Sequence, residues 1–122
     1  MTHKRYTVEE ADALLPYLAP TLVELRERSE EAARIKQAMD AAAASNGGSS
    51  DKERWARTLA RVDELFEKLS EWGVELRDLS TGLVDLPTVI DGEDAYLCWR
   101  LGEPNVAFWH SPEDGFRGRR PL

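Results

Sequence analysis

AYLCWRLGEPNVAFWH, residues 95–110, is the stretch on which the reading of this chain turns. It carries two of the four tryptophans, the only cysteine and one of the two histidines. Aromatic, β-branched and aliphatic residues flank Gly102-Glu103-Pro104-Asn105, a cluster with turn chemistry, and this predicts a β-hairpin. With Leu101 paired to Val106 across that loop, the period of two puts Leu97, Trp99, Leu101, Val106, Phe108 and His110 on one face, expected to be the core face. Tyr96, Cys98, Arg100, Ala107 and Trp109 fall on the other. A slip of one residue would exchange the faces of one strand.

Upstream, Asp91-Gly92 favours a primed hairpin turn. The expected antiparallel meander therefore comprises residues 88–90, 95–101 and 106–110. Leu83-Val84-Asp85-Leu86 reads as a short extended segment ended by Pro87, and residues 111–122, rich in Gly and Pro, are expected to be irregular.

The first half of the chain has the helical period. Thr7 and Glu10 form a capping box, after which Ala11, Leu14, Leu15, Leu18, Leu22, Val23 and Leu25 recur on one face. Pro16 and Pro20 predict a kink or break near Leu15, then a longer helix to about Ala43. Residues 1–6 are expected to fray. Ser45-Asn46-Gly47-Gly48-Ser49-Ser50 is a flexible connection by composition. A second capping box, Ser50 with Glu53, opens another helix with the face Trp55, Leu59, Val62, Phe66, Leu69, Gly73 and Leu76, stopping at Ser80-Thr81-Gly82. Gly73 in that seam points either to a close approach of another chain segment or to a local weakness.

The reading is one α+β domain over residues 1–122: a long antiparallel helical hairpin (7–80) and a small C-terminal antiparallel β-meander with its tail (81–122). Its 122 residues, 42% hydrophobic and 32% charged, suit one folded unit. The formal charge of −7 argues against nucleic-acid or anionic-membrane binding. A lone cysteine and the absence of a signal-peptide pattern predict a cytoplasmic protein, and no run is long enough to span a bilayer. Helices projecting beyond the meander predict a homodimer, with the hairpins pairing as a coiled coil.

The residues also carry a resemblance. Thr7-x-Glu9-Glu10-Ala11 with Leu14-Leu15-Pro16, Gly82-Leu83-Val84-Asp85-Leu86-Pro87, Tyr96-Leu97-Cys98-Trp99-Arg100-Leu101-Gly102-Glu103, Trp109-His110 and Gly115-Phe116-x-Gly118-Arg119-x-Pro121 make the chain resemble an uncharacterised prokaryotic family labelled domain of unknown function 2203. Arg117 and Ser111-Pro112 depart from its pattern. The resemblance implies no activity, so the site has to be read from chemistry.

Tyr96, Arg100 and Trp109 share the face opposite the expected core, the residue types of interfaces and stacked cations. His110, followed by Glu113 and Asp114, holds the groups of a divalent-metal site, with His110 and Asp114 the candidates. The plainer reading is a histidine hydrogen-bonded to backbone or to Asp85. On opposite faces, Cys98 and His110 are not expected to pair, and Cys98 reads as a small buried residue. Glu64, Glu67, Glu71, Glu75 and Asp78 form an acidic stripe read as a solvated helix face. Arg119, in the basic tail, is expected to fold back onto Asp85 or a helix carboxylate, with Phe116 against the sheet edge; phosphate or RNA contact is the lesser reading. The leading expectation is a non-enzymatic binding or assembly module acting through Tyr96, Arg100, Trp109, His110 and Arg119 on an unknown protein or small-molecule partner. No cofactor is expected. The rival is a small-molecule or divalent-metal site near His110, possible for catalysis, which a pocket with convergent polar groups beside His110 would favour.

Overall fold

The first capping box forms as its spacing predicts: the Thr7 N–H donates to Glu10 Oε1 at 2.9 Å and the Glu10 N–H to Thr7 Oγ1 at 3.1 Å. The helix it opens, α1, runs Val8–Ala43. The structure is a computed structural model that describes residues 4–43 and 49–122. After α1 come α2 (Ser49–Trp72), β1 (Glu75–Asp78), β2 (Leu83–Ile90), β3 (Glu93–Arg100), β4 (Phe108–His110), a 3-10 turn (Phe116–Gly118) and β5 (Arg120–Pro121). The sheet order is β1-β2-β3-β4-β5, antiparallel throughout. The α+β hairpin-and-meander architecture is therefore present, with five strands rather than three.

Of the expected kink or break near Leu15, the break is excluded, since Pro16 and Pro20 both lie inside the continuous helix α1. Both prolines are exposed, whereas Leu15, Leu18, Leu22 and Leu25 on the opposite side are buried. Each interior proline costs about 3 kcal/mol. Four leucines at about 1.5–3 kcal/mol apiece outweigh that. Across the hairpin, Arg61 grips Glu24 through two bonds, Nε to Oε2 at 2.7 Å and Nη2 to Oε1 at 2.8 Å. Farther out, Ala32 and Ile35 are buried within the one chain. The apolar seam is thus partly closed within the chain, while Val23 and Phe66 stay exposed. On α2 the buried positions are Thr58, Val62, Leu65 and Leu69, while Phe66, expected in the seam, is exposed.

The connection residues 45–48 lie outside the described residues. Helix α2 already includes Ser49, so Ser50 is a helical residue rather than the expected N-cap. The larger correction is at the other end. Helix α2 stops at Trp72, because Gly73 takes φ 71° and the chain closes with Val74 N–H to Leu69 O at 2.9 Å and Gly73 N–H to Ser70 O at 3.0 Å. This pair of bonds is the Schellman termination. Residues 75–78, assigned to the helix from sequence, are strand β1, so the acidic stripe is split between two elements. Ser80-Thr81-Gly82 turns β1 into β2: the Asp78 carboxylate accepts from Ser80 N, Ser80 Oγ and Thr81 Oγ1. Gly82, at φ 69°, passes so close to Leu101 that a Cβ would meet its side chain at 2.5 Å.

Strand β2 continues through Pro87 instead of ending there. The carbonyl of Pro87 accepts the Tyr6 N–H at 2.7 Å on the side away from β3. Because N and C=O of a strand residue point the same way, the missing proline donor faces that edge and costs no ladder bond. Tyr6 itself is 3% exposed, not frayed, its hydroxyl donating to Trp72 O and its carbonyl accepting Thr88 Oγ1 at 2.6 Å.

The β3–β4 register differs from the expected one by a single residue: Tyr96 pairs with His110, Leu97 with Trp109 and Cys98 with Phe108. The turn is longer than four residues, because Val106 leaves the strand and its N–H donates to Asp12 Oδ1 of α1 at 2.7 Å. The faces of β4 are therefore exchanged. Val84, Leu86, Leu97, Trp99 and Val106, with Trp109 partly, pack on the helices. Phe108 and His110 join Tyr96, Cys98 and Asp85 on the outer face. Trp99 is 3% exposed and its indole N–H reaches Glu103 O at 3.1 Å. Trp99→Ala is expected to lower stability by about 3–5 kcal/mol in denaturant titration; a loss under about 1 kcal/mol would contradict this core.

Candidate functional site

The outer face gathers charge that the helix side lacks. Asp85 sits in an apolar strand, 2% exposed, and its oxygens are used separately. Oδ2 accepts from Arg77 Nε at 2.7 Å, and Oδ1 lies 2.9 Å from His110 Nε2. His110 is also 2% exposed, with Nδ1 2.8 Å from the Ser111 carbonyl. A carbonyl only accepts, so Nδ1 carries hydrogen. Nε2 and Oδ1 then face each other as hydrogen-bond partners. The expectation was backbone or Asp85; His110 contacts both, on the outer face and not the core face.

Cys98 neighbours Asp85 across β2–β3 and shares its face with His110, which corrects the expectation that Cys98 and His110 point apart. One ligand atom from each of Asp85, Cys98 and His110 lies within 4.8 Å of the others, all three residues buried. Burial, and then the Asp85 carboxylate, push the Cys98 thiol up to about 11, against a smaller lowering by Arg119. A thiol so held is protonated near neutrality and is no nucleophile. Arg77 is held above the ordinary guanidinium range, first by its bond to Asp85; it also bonds Glu75 at 3.1 Å and lies 5.4 Å from the Tyr96 ring centroid.

The tail closes this face. Arg119 bonds the Glu103 carboxylate and, at 3.4 Å, the Cys98 carbonyl, with its guanidinium 4.0 Å from the Phe108 ring centroid and 5.1 Å from that of Phe116. It folds back, as expected, but onto Glu103 rather than Asp85 or a helix carboxylate. Between tail and sheet remains a pocket of about 350 Å³ lined by Arg77, Asp85, His110, Glu113, Asp114 and Phe116 among others. A larger cleft of about 580 Å³ follows the β2 edge past Glu75 and Tyr96, but its Arg5 and Asp94 are already paired with each other at 2.8 Å.

Of the residues singled out from sequence, Tyr96 and His110 meet, their ring centroids 5.5 Å apart, and Arg119 lies on the same face. Arg100 does not join them: it is exposed at the strand end, and among the described residues its guanidinium makes no hydrogen bond or ion pair. Trp109 faces the helices, with Arg120 5.3 Å from its ring centroid. Asp114 reaches the pocket but is engaged by Arg120 at 3.6 Å. Asp85 is read from sequence only as a possible partner of His110 or Arg119. The available signal was a carboxylate at a strand position flanked by Val84 and Leu86, where burial requires a counter-charge.

The chain matches, over residues 4–122, the profile of the family described as Uncharacterized conserved protein (DUF2203), and it belongs to that family. No curated protein and no solved structure matches it.

The buried, protonated state of Cys98 has a chemical consequence. A disulfide reagent at pH 8 is expected to label the folded protein at least about tenfold more slowly than the urea-unfolded chain. Equal rates in the two states would contradict it.

Proposed function

We propose that this member of the family is a non-enzymatic, cytoplasmic binding module whose ligand seat is the outer face of the β-meander, in front of Asp85 and His110, and whose ligand is cationic. The observation that carries this reading is the pocket beside His110, where Asp85, Glu113 and Asp114 converge while Arg77 is committed to Asp85 and Glu75. The guanidiniums of Arg77 and Arg120 are bonded to Asp85 and Asp114, and among the described residues Glu113 makes no ion pair, which favours a positive guest. The absence of an ionised thiol supports binding over nucleophilic chemistry. A single buried cysteine fits a reducing compartment, and among the described residues no helix is long and apolar enough to cross a membrane.

Of the two readings open from sequence, this one keeps the binding role of the meander face and takes its location from the His110 site. Tyr96 and His110 stay in it. Arg119 holds the tail that walls the pocket, and Arg100 and Trp109 leave it.

The test is thermal unfolding of the full chain with Zn²⁺, Mn²⁺, Ca²⁺ or spermidine. At about a hundred times Kd a bound ligand adds about 2.7 kcal/mol, so at least one probe is expected to raise Tm by several degrees. That rise should vanish in Glu113→Gln/Asp114→Asn combined with Asp85→Asn. No rise with any probe would reject the reading.

A further inference from the structure

We propose that Asp85, Cys98 and His110 are the protein ligands of a divalent transition-metal site of the zinc type, a proposal that rests on the outer-face reading above and names its cation. The set mixes thiolate, imidazole and carboxylate, the donors that select a borderline-soft ion over calcium or magnesium. Their ligand atoms already lie within 4.8 Å of one another. Zinc bonds of about 2.0–2.3 Å in a tetrahedron separate ligand atoms by about 3.3–3.6 Å. The three side chains therefore need shifts of about 1 Å, small against the freedom of χ angles.

Two details of the cluster point the same way. The Nδ1–H of His110 is tied to the Ser111 carbonyl at 2.8 Å, which turns the Nε2 lone pair inward, and Arg77 holds the second oxygen of Asp85 at 2.7 Å. Metal-binding histidines and carboxylates are oriented by outer partners of this kind. Moreover, Nε2 and Oδ1 are already hydrogen-bond partners at 2.9 Å, and an ion coordinated by both replaces that bond. Coordination releases the hydrogen of that bond and the thiol hydrogen of Cys98 to solvent as protons, with no electron transferred. The pocket gives the entry path, because Asp85 and His110 both line it.

Cobalt(II) makes the proposal visible. Titrating the full chain with Co²⁺ is expected to give a thiolate-to-metal charge-transfer band in the near ultraviolet and intense visible bands of a four-coordinate site. Zinc should bleach both. Cys98→Ser is expected to remove the charge-transfer band, and His110→Gln to weaken Co²⁺ binding by at least about tenfold, no less than loss of an outer partner costs. The wild-type spectrum needs no variant to fold, and its lack of a charge-transfer band under saturating Co²⁺ would overturn the proposal. A stabilising effect of Mn²⁺ or Ca²⁺ without that band leaves the outer-face reading standing and removes the triad. No cation effect of any kind removes both.

Discussion

The carboxylate of Asp85 is the constraint on which the sheet depends. Taken out of water, an unpaired carboxylate costs several kcal/mol, and breaking a buried pair by removing one partner costs about 3–5 kcal/mol. Asp85 has one partner on each side: Arg77 of β1 at Oδ2 and His110 of β4 at Oδ1. One bond joins β2 to β1 and the other crosses β3 to β4, so that four strands are tied through one carboxylate. If β4 slipped by one residue, His110 would turn toward the helices and Oδ1 would be left bare. The charge pairing and the apolar pattern of β2 and β3 thus select the same arrangement, which is the agreement between levels that gives one native state.

Elements too short to hold themselves are tied in by long-range bonds. Residues 4–7 reach the sheet through Tyr6, whose N–H, carbonyl and hydroxyl are all engaged. The loop before β4 is held by Asp12 on α1, and β5 by the Leu122 N–H on the Ala107 carbonyl at 2.9 Å. Arg119 plays the same part for the tail, since its stacked guanidinium brings residues 116–119 down onto Phe108. Such contacts explain how a two-residue strand persists at a sheet edge.

The elements that could be read from sequence are those whose signal is local. The capping box at Thr7, the leucine period of α1, the left-handed pair Asp91 (φ 52°) and Gly92 (φ 79°) and the burial of Trp99 each follow from near neighbours. The misreadings share a different cause. Gly73 ends α2 although the apolar period runs on to Leu76, and alternation over the four residues of β1 is too short to be read against that helical pattern. Pro16 and Pro20 do not break α1, because tertiary burial of four leucines exceeds their local penalty. Val106, expected in the strand, is instead bonded to Asp12, 94 residues away, which no reading by period of two contains. For the site, the Asp85–His110 contact was readable as a buried carboxylate near the only strand histidine, whereas the meeting of Cys98 with both depended on that register.

The division of labour between the two faces of the sheet follows from chain length. One helical hairpin covers one face, and there Val84, Leu86, Leu97 and Trp99 supply the burial that holds the domain together. The opposite face has only residues 111–119 to cover it, mostly exposed or half-buried themselves. Its interior is therefore polar and its cover thin, with Asp85, Cys98 and His110 beneath and a 350 Å³ opening beside them. A cation in the proposed seat would replace the Asp85–His110 hydrogen bond with bonds to the ion, and the leucine packing lies on the other side of the sheet, where such an exchange would not reach it.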